Sequence, residues 1–308
     1  MSGPSKVLLA APRGYCAGVE RAVEAVEQAL RVHGAPVYVR KQIVHNLHVV
    51  RDLQAKGAVF VEEETEAPEG AVVVLSAHGV APSVYANALG RGLTVLDATC
   101  PLVTKVHLEA RRFASDDRTI VLIGHAGHEE VEGTTGQAPD RTILIEDVEE
   151  ARALRVPDPE NLSYLTQTTL SVDETNQIVA VLRERFPSIQ GPPREDICYA
   201  TQNRQDSIKE VARRADVVLV IGSDNSSNSR RLAEVARDLG TPAYLVDDES
   251  EVDPAWLEGA EVIGLTSGAS APERLVDRML DWLAEHGATE VEEVRLAEER
   301  LRFSDVRV

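Results

Sequence analysis

Short runs of Val, Ile, Leu and Ala alternate with amphipathic stretches along nearly the whole chain, and this restricts it to a parallel α/β fold. A run that is apolar at consecutive positions must be buried on both faces, as in a sheet covered by helices. Strands are expected at Lys6–Ala11, Val37–Val39, Val72–Ser76, Thr94–Asp97, Thr119–Gly124, Thr142–Ile145, Leu162–Thr166, Val217–Gly222, Ala243–Val246 and Val262–Thr266. Helices are expected at Val19–Val32, Leu102–Ser115, Val172–Phe186, Gln205–Ala215, Arg230–Leu239 and Pro272–His286, where apolar residues recur every three or four positions. In such folds ligands bind beyond the carboxyl ends of the strands, where loops lead into helix N-termini.

The only thiols, Cys16, Cys100 and Cys198, sit at such edges, far apart in the chain and with no C-x-x-C pair. Local zinc and thioredoxin motifs are thereby excluded. Three separate small hydrophobes of the core are one reading of the thiols. The other is a set of thiolates gathered from distant segments to hold an iron–sulfur cluster by three corners, leaving one iron open. An odd count, with no signal-peptide pattern before the first strand, argues against a secreted disulfide framework and for a reducing cytoplasm. No apolar stretch approaches the roughly 20 residues that span a bilayer. Lys plus Arg at 32 against Asp plus Glu at 51 gives a net charge of −19, which disfavours nucleic acid as a partner. Any anionic ligand must therefore be held by local groups.

Three hydroxyl-rich loops offer such groups. Gly222-Ser-Asp-Asn-Ser-Ser-Asn-Ser follows an apolar run and leads into a helix, Thr266-Ser-Gly-Ala-Ser-Ala-Pro places Ser270 before Pro272, and Ser171 to Glu174 reads as a capping box after Thr166-Gln-Thr-Thr. Hydroxyls, amides and backbone N–H groups at a helix start suit a phosphate, although linkers and plain caps share this composition. None matches a P-loop, which disfavours nucleotide hydrolysis. His45, His78, His125 and His128 also fall near strand ends, where imidazoles could donate to phosphate or to a hydroxyl. Glu129 or Glu130 could supply a proton if burial raises its pKa. The run His125-Ala-Gly-His-Glu-Glu matches no zinc-protease motif.

Taken together, Gly14-Tyr-Cys-Ala-Gly-Val, Ile43-Val-His-Asn, Ser76-Ala-His-Gly-Val, Asp97-Ala-Thr-Cys-Pro-Leu-Val, Gly124-His-Ala-Gly-His, Thr166-Gln-Thr-Thr-Leu-Ser, Ile197-Cys-Tyr-Ala-Thr, Asn225-Ser-Ser-Asn-Ser and Gly268-Ala-Ser-Ala-Pro resemble the 4-hydroxy-3-methylbut-2-enyl diphosphate reductase family over roughly residues 6 to 285. The resemblance implies a pseudo-threefold trefoil of three similar α/β domains with small parallel sheets around a central [4Fe–4S] cluster. Cys16, Cys100 and Cys198 would be its ligands, and the fourth iron would be open. By motif position, His45, His78, Ser226, Ser227, Asn228 and Ser270 would hold the diphosphate. His128 and Thr168 would contact the hydroxyl end, and Glu130 would be the proton source. The implied reaction is reductive dehydroxylation of an allylic diphosphate to isopentenyl and dimethylallyl diphosphates, the last step of the methylerythritol phosphate route, with flavodoxin or ferredoxin as electron donor.

Strand count and cysteine spacing place the expected domains at 1–99, 100–193 and 194–286, with a charged tail at 287–308 that ends in a strand at Leu301–Phe303 or is partly disordered. The chain departs from the family pattern in two places. Glu129 stands where proline is usual between the second histidine and the glutamate, and the chain end lacks the usual Leu-Pro. Competing readings are a quinolinate synthase-like enzyme with an open iron, a non-enzymatic iron–sulfur sensor and a zinc-dependent diphosphate hydrolase. The Asn225-Ser-Ser-Asn-Ser and Thr166-Gln-Thr-Thr patterns favour the reductase.

Overall fold

Apolar runs become strands, those at Lys6–Ala11, Val72–Leu75, Thr119–Ile123, Leu162–Thr166, Val217–Ile221 and Val262–Ser267 buried along nearly their whole length. The structure, a computed structural model, describes residues 3–308. The chain opens with β1 (Lys6–Ala11), α1 (Ala17–His33), β2 (Val37–Arg40), α2 (Leu47–Ala55), β3 (Ala58–Val61), β4 (Val72–Leu75), α3 (Pro82–Gly90) and β5 (Thr94–Asp97). There follow α4 (Pro101–Ser115), β6 (Thr119–Ile123), α5 (Glu129–Thr135), β7 (Thr142–Ile145), α6 (Val148–Ala153), β8 (Leu162–Thr166) and α7 (Val172–Arg185). The last third holds α8 (Tyr199–Ala212), β9 (Val217–Ile221), α9 (Ser227–Asp238), β10 (Ala243–Val246), β11 (Val262–Ser267), α10 (Glu273–Glu285) and β12 (Glu290–Arg295).

The strands form three small sheets in which every pair is parallel, as the alternation requires. By contacts the chain divides into two compact units. The first comprises the chain up to Glu20, His45–Asp52 and Tyr199–Arg302. Its sheet runs β10-β9-β11-β1-β12, with Leu219, Ile263, Leu265 and Met279 packed in one core cluster and Leu8, Val218, Val220 and Leu232 in another. The second unit comprises Arg21–Val44, Leu53–Cys198 and Phe303–Val308, and it carries the sheets β3-β2-β4-β5 and β7-β6-β8.

β1 and the chain's last segment depart from the sequence expectation. β1, expected in a domain spanning 1–99, pairs instead with β11 and β12, because a run buried from Val7 to Ala11 needs a neighbour on each side. The expected tail supplies β12 at Glu290–Arg295, while Leu301–Phe303 forms no strand. β12 lies at the sheet's edge, where charge is tolerated and protects against mispairing. Its glutamates reach Lys6, Arg13 and Arg214, so the charges that hid the strand are ion-paired in the fold. Among the described residues no helix is long and apolar enough to cross a membrane.

Candidate active site

Nearly every candidate residue lies in a loop that leaves the carboxyl end of a parallel strand: Cys16 after β1, His45 after β2, His78 after β4, Cys100 after β5, His128 after β6, Thr168 after β8, Ser226 after β9 and Ser270 after β11. Cys198 follows the long loop after α7 and immediately precedes α8.

In the first unit, Cys16 occupies the cap position of α1. Its carbonyl accepts from Glu20 N at 2.9 Å, and its N–H donates to Ala269 O at 3.2 Å. The preceding turn bends at Gly14, whose φ of +67° suits glycine and whose N–H donates to Ser267 Oγ at 2.9 Å. Helix α9 begins with a real cap: Ser226 Oγ accepts from both Ser229 N at 3.3 Å and Ser229 Oγ at 3.0 Å. A hydroxyl that accepts in this way can still donate its own proton, which suits an anion. The helix starts earlier than the Arg230 expected from periodicity, and the cap is the reason. Asn228 ties two loops together through Oδ1, which accepts from Ala269 N at 2.9 Å. Ser270 Oγ donates to His45 O at 2.9 Å, and Asn225 Nδ2 lies 3.4 Å from His45 Nδ1. Ser226, Asn228, Ser270 and His45 are all buried, and Ser227 is half-buried. The unit thus gathers hydroxyls, an amide and an imidazole around the positive end of α9.

In the second unit, backbone bonds tie two of the cysteines to candidate substrate residues. Cys100 N donates to Ala77 O, next to His78, and Cys198 N donates to Thr168 O, both at 3.0 Å. Thr168 in turn holds Glu130: its N–H donates to Oε1 at 2.6 Å and its hydroxyl to Oε2 at 2.9 Å. Glu130 is 3% exposed. Burial pushes its carboxyl up to about 7 despite the bonds from Thr168, with Asp196 adding to the rise. Asp196 is itself pushed up to about 6 by burial, against the pull of Lys105 at 3.1 Å. His128 caps α5, its Nδ1 accepting from Glu130 N at 3.2 Å. This places the ring hydrogen on Nε2. Burial, and next the nearby His78, push His128 down to about 3, so it is a neutral donor. Glu129, in the place where proline is usual, turns its carboxylate onto His78 Nδ1 at 3.1 Å.

Sequence reasoning missed Asp196, which acts on Glu130 and is paired with Lys105, and also Arg204. The Arg204 guanidinium is fully buried and donates to Gly14 O at 2.8 Å and to Glu299 at 2.9 Å. A basic residue on the otherwise buried face of α8 was the available signal.

The donor set fits an iron–sulfur group. All three thiols are half-buried, and each belongs to the residue immediately before a helix, α1, α4 or α8, where the positive helix end favours a negatively charged ligand. A parallel α/β protein with three thiols at helix starts, a helix end suited to an anion and a buried carboxyl of near-neutral pKa belongs to the class of enzymes.

The comparisons narrow the class. The LytB protein family model matches residues 7–284. The 4-hydroxy-3-methylbut-2-enyl diphosphate reductase of Acidothermus cellulolyticus is 63% identical over 97% of this chain and 88% of its own. The enzyme of the same name from Leifsonia xyli is 61% identical over 98% of this chain and 90% of its own. Among solved structures, the E-1-hydroxy-2-methyl-but-2-enyl-4-diphosphate reductase of Plasmodium falciparum aligns with a TM-score of 0.95 at 36% identity, covering 98% of this chain and 96% of that one. The chain belongs to the LytB family, the 4-hydroxy-3-methylbut-2-enyl diphosphate reductases.

Proposed function

We propose that the protein reduces (E)-4-hydroxy-3-methylbut-2-enyl diphosphate to isopentenyl and dimethylallyl diphosphates, the last step of the methylerythritol phosphate route. Two electrons and two protons enter, the C–O bond breaks, and the hydroxyl leaves as water. A [4Fe–4S] cluster held by Cys16, Cys100 and Cys198 would supply single electrons and a Lewis-acidic iron. The rest falls to the chain. His45, His78, Ser226, Ser227, Asn228 and Ser270 bind the diphosphate with neutral and imidazole donors, so binding needs no lysine from this acidic chain. His128, neutral with its hydrogen on Nε2, and Thr168 orient the hydroxyl end of the substrate.

The observation that carries the reading is Glu130. Hydroxide is a poor leaving group and needs a proton as it departs, and a buried carboxyl raised to about 7 holds one near neutral pH. Its Oε2 lies 2.9 Å from the Thr168 hydroxyl, which can relay the proton by accepting from Glu130 and donating onward. The electron donor is a flavodoxin or ferredoxin, and the reducing cytoplasm keeps the thiols available as ligands. Anaerobically prepared protein is expected to hold about four irons and four sulfides per chain and to turn over the allylic diphosphate with an artificial one-electron donor. Zinc without sulfide, or a full cluster without turnover, would overturn the reading.

A further inference from the structure

Glu129 and Glu130 are adjacent in α5, but their carboxylates serve different partners. Glu130 is held by Thr168, whereas Glu129 Oε2 lies 3.1 Å from His78 Nδ1 and 3.4 Å from the hydroxyl of the buried Ser76. Both members of the His78–Glu129 pair are well enclosed, their side chains 14% and 16% exposed. Burial alone would raise the Glu129 carboxyl. The bond from His78 and the nearby Lys41 outweigh burial and hold it below the usual carboxylate range, so the group is an anion. An anionic acceptor fixes a histidine in two respects. It places a hydrogen on the bonded nitrogen and sets the direction of the other. His128 stands edge-on to the same ring, with centroids 5.8 Å apart, and further restricts its tilt.

We propose that Glu129 is a positioning residue for diphosphate recognition, holding His78 by Nδ1 so that Nε2 is the nitrogen presented to a diphosphate oxygen. This rests on the reading of His78 as a diphosphate ligand. When the anion arrives, the ring lies between two negative groups, the carboxylate on one nitrogen and the phosphate on the other. A hydrogen bond from the ring to the phosphate anion is charge-assisted, roughly twice as strong as one between neutral groups. Glu129 need not touch the substrate or donate a proton, since the proton for the leaving hydroxyl comes from Glu130. The two neighbouring acids therefore divide the work, one for affinity and one for chemistry.

The test is a double-mutant cycle on anaerobically prepared holoprotein, read by calorimetric titration with inorganic pyrophosphate and by steady-state kinetics. Glu129→Gln keeps the shape and removes the charge. It should raise the Kd for pyrophosphate and the KM for the allylic diphosphate about tenfold, while kcat stays within about threefold. In a His78→Ala background the same substitution should change Kd by less than about twofold, because the residue it acts through is gone. An equal effect in both backgrounds would mean that Glu129 only supports the fold, and no effect in the native background would mean that it does not position His78. Either result overturns the proposal. If the native protein fails to reduce the substrate while Glu129→Gln still weakens pyrophosphate binding only in the presence of His78, the proposed reaction fails and the positioning role stands.

Discussion

Glu130 links burial to pH at the scale of one residue. Its carboxyl is raised from an ordinary value of 4.5 to about 7 by burial, so the protonated form that can donate is lost as pH rises through about 7. Turnover should therefore fall by up to about tenfold per pH unit on the alkaline side of that value. Glu130→Gln should keep pyrophosphate binding and lose about a hundredfold or more in kcat, with a residual rate that no longer falls across that range. A variant that kept the native rate, or the native alkaline limb, would assign the proton to another group. The same displacement acts on stability. A folded-state pKa above the unfolded one makes a contribution that is fully present below about 4.5 and fades as pH rises through about 7. Its ceiling is about 3 kcal/mol, since a tenfold change in proton affinity corresponds to roughly 1.4 kcal/mol. Asp196, raised to about 6, works in the same direction. Chemical denaturation should thus show the native protein losing stability from mildly acidic to mildly alkaline pH, and Glu130→Gln losing less.

The start of α9 shows how two strands prepare a helix end for an anion. β9 and β11 end near Gly222 and Gly268, and a Cβ at those positions would lie 2.2 Å and 2.0 Å from Ser229 Oγ. Ser229 is fully buried, so a side chain at either position would push against it and against the cap it makes with Ser226. Gly268→Ala should cost about 1–3 kcal/mol in urea unfolding and weaken pyrophosphate binding by disturbing Ser226. Adding Ser229→Ala, which removes the clashing oxygen, should restore part of the stability. Unchanged stability in Gly268→Ala would show that the loop has room this packing denies. Elements of this kind were only partly legible in the sequence. Strands buried on both faces, such as Val217–Ile221, were readable because such runs lack polar positions. β12 was not, since its only buried residue is Val294 and its identity depends on ion pairs with residues far away in the chain. α5 was hidden by its shortness, its three acids and Gly133. In the site, the capping box at Ser171 and the hydroxyls of the Asn225 loop are local patterns, whereas the Glu129–His78 and Glu130–Thr168 pairs exist only once separate strand ends are brought side by side.

The first unit is assembled from three separated stretches of chain, so its integrity depends on contacts that close long loops. Arg204 is one of these. It is completely buried and donates to Gly14 O, Ala200 O and both carboxylate oxygens of Glu299, joining the turn before Cys16 to α8 and to the segment after β12. A buried guanidinium that loses its carboxylate partner costs about 3–5 kcal/mol, far more than an exposed pair such as Arg300 with Glu298 contributes. Glu299→Ala should therefore lower unfolding stability by that order, while Glu298→Ala changes it little. Because only Tyr15 separates Gly14 from Cys16, loosening Arg204 should also speed iron loss from anaerobically prepared protein during gel filtration. An apolar replacement of the pair, Arg204→Met with Glu299→Leu, separates the two effects. Such replacements often restore stability, but methionine cannot donate to the Gly14 carbonyl. Recovered stability with continued iron loss would show that Arg204 holds the cysteine turn. Recovery of both would reduce it to a partner for Glu299, and recovery of neither would place its contribution in packing.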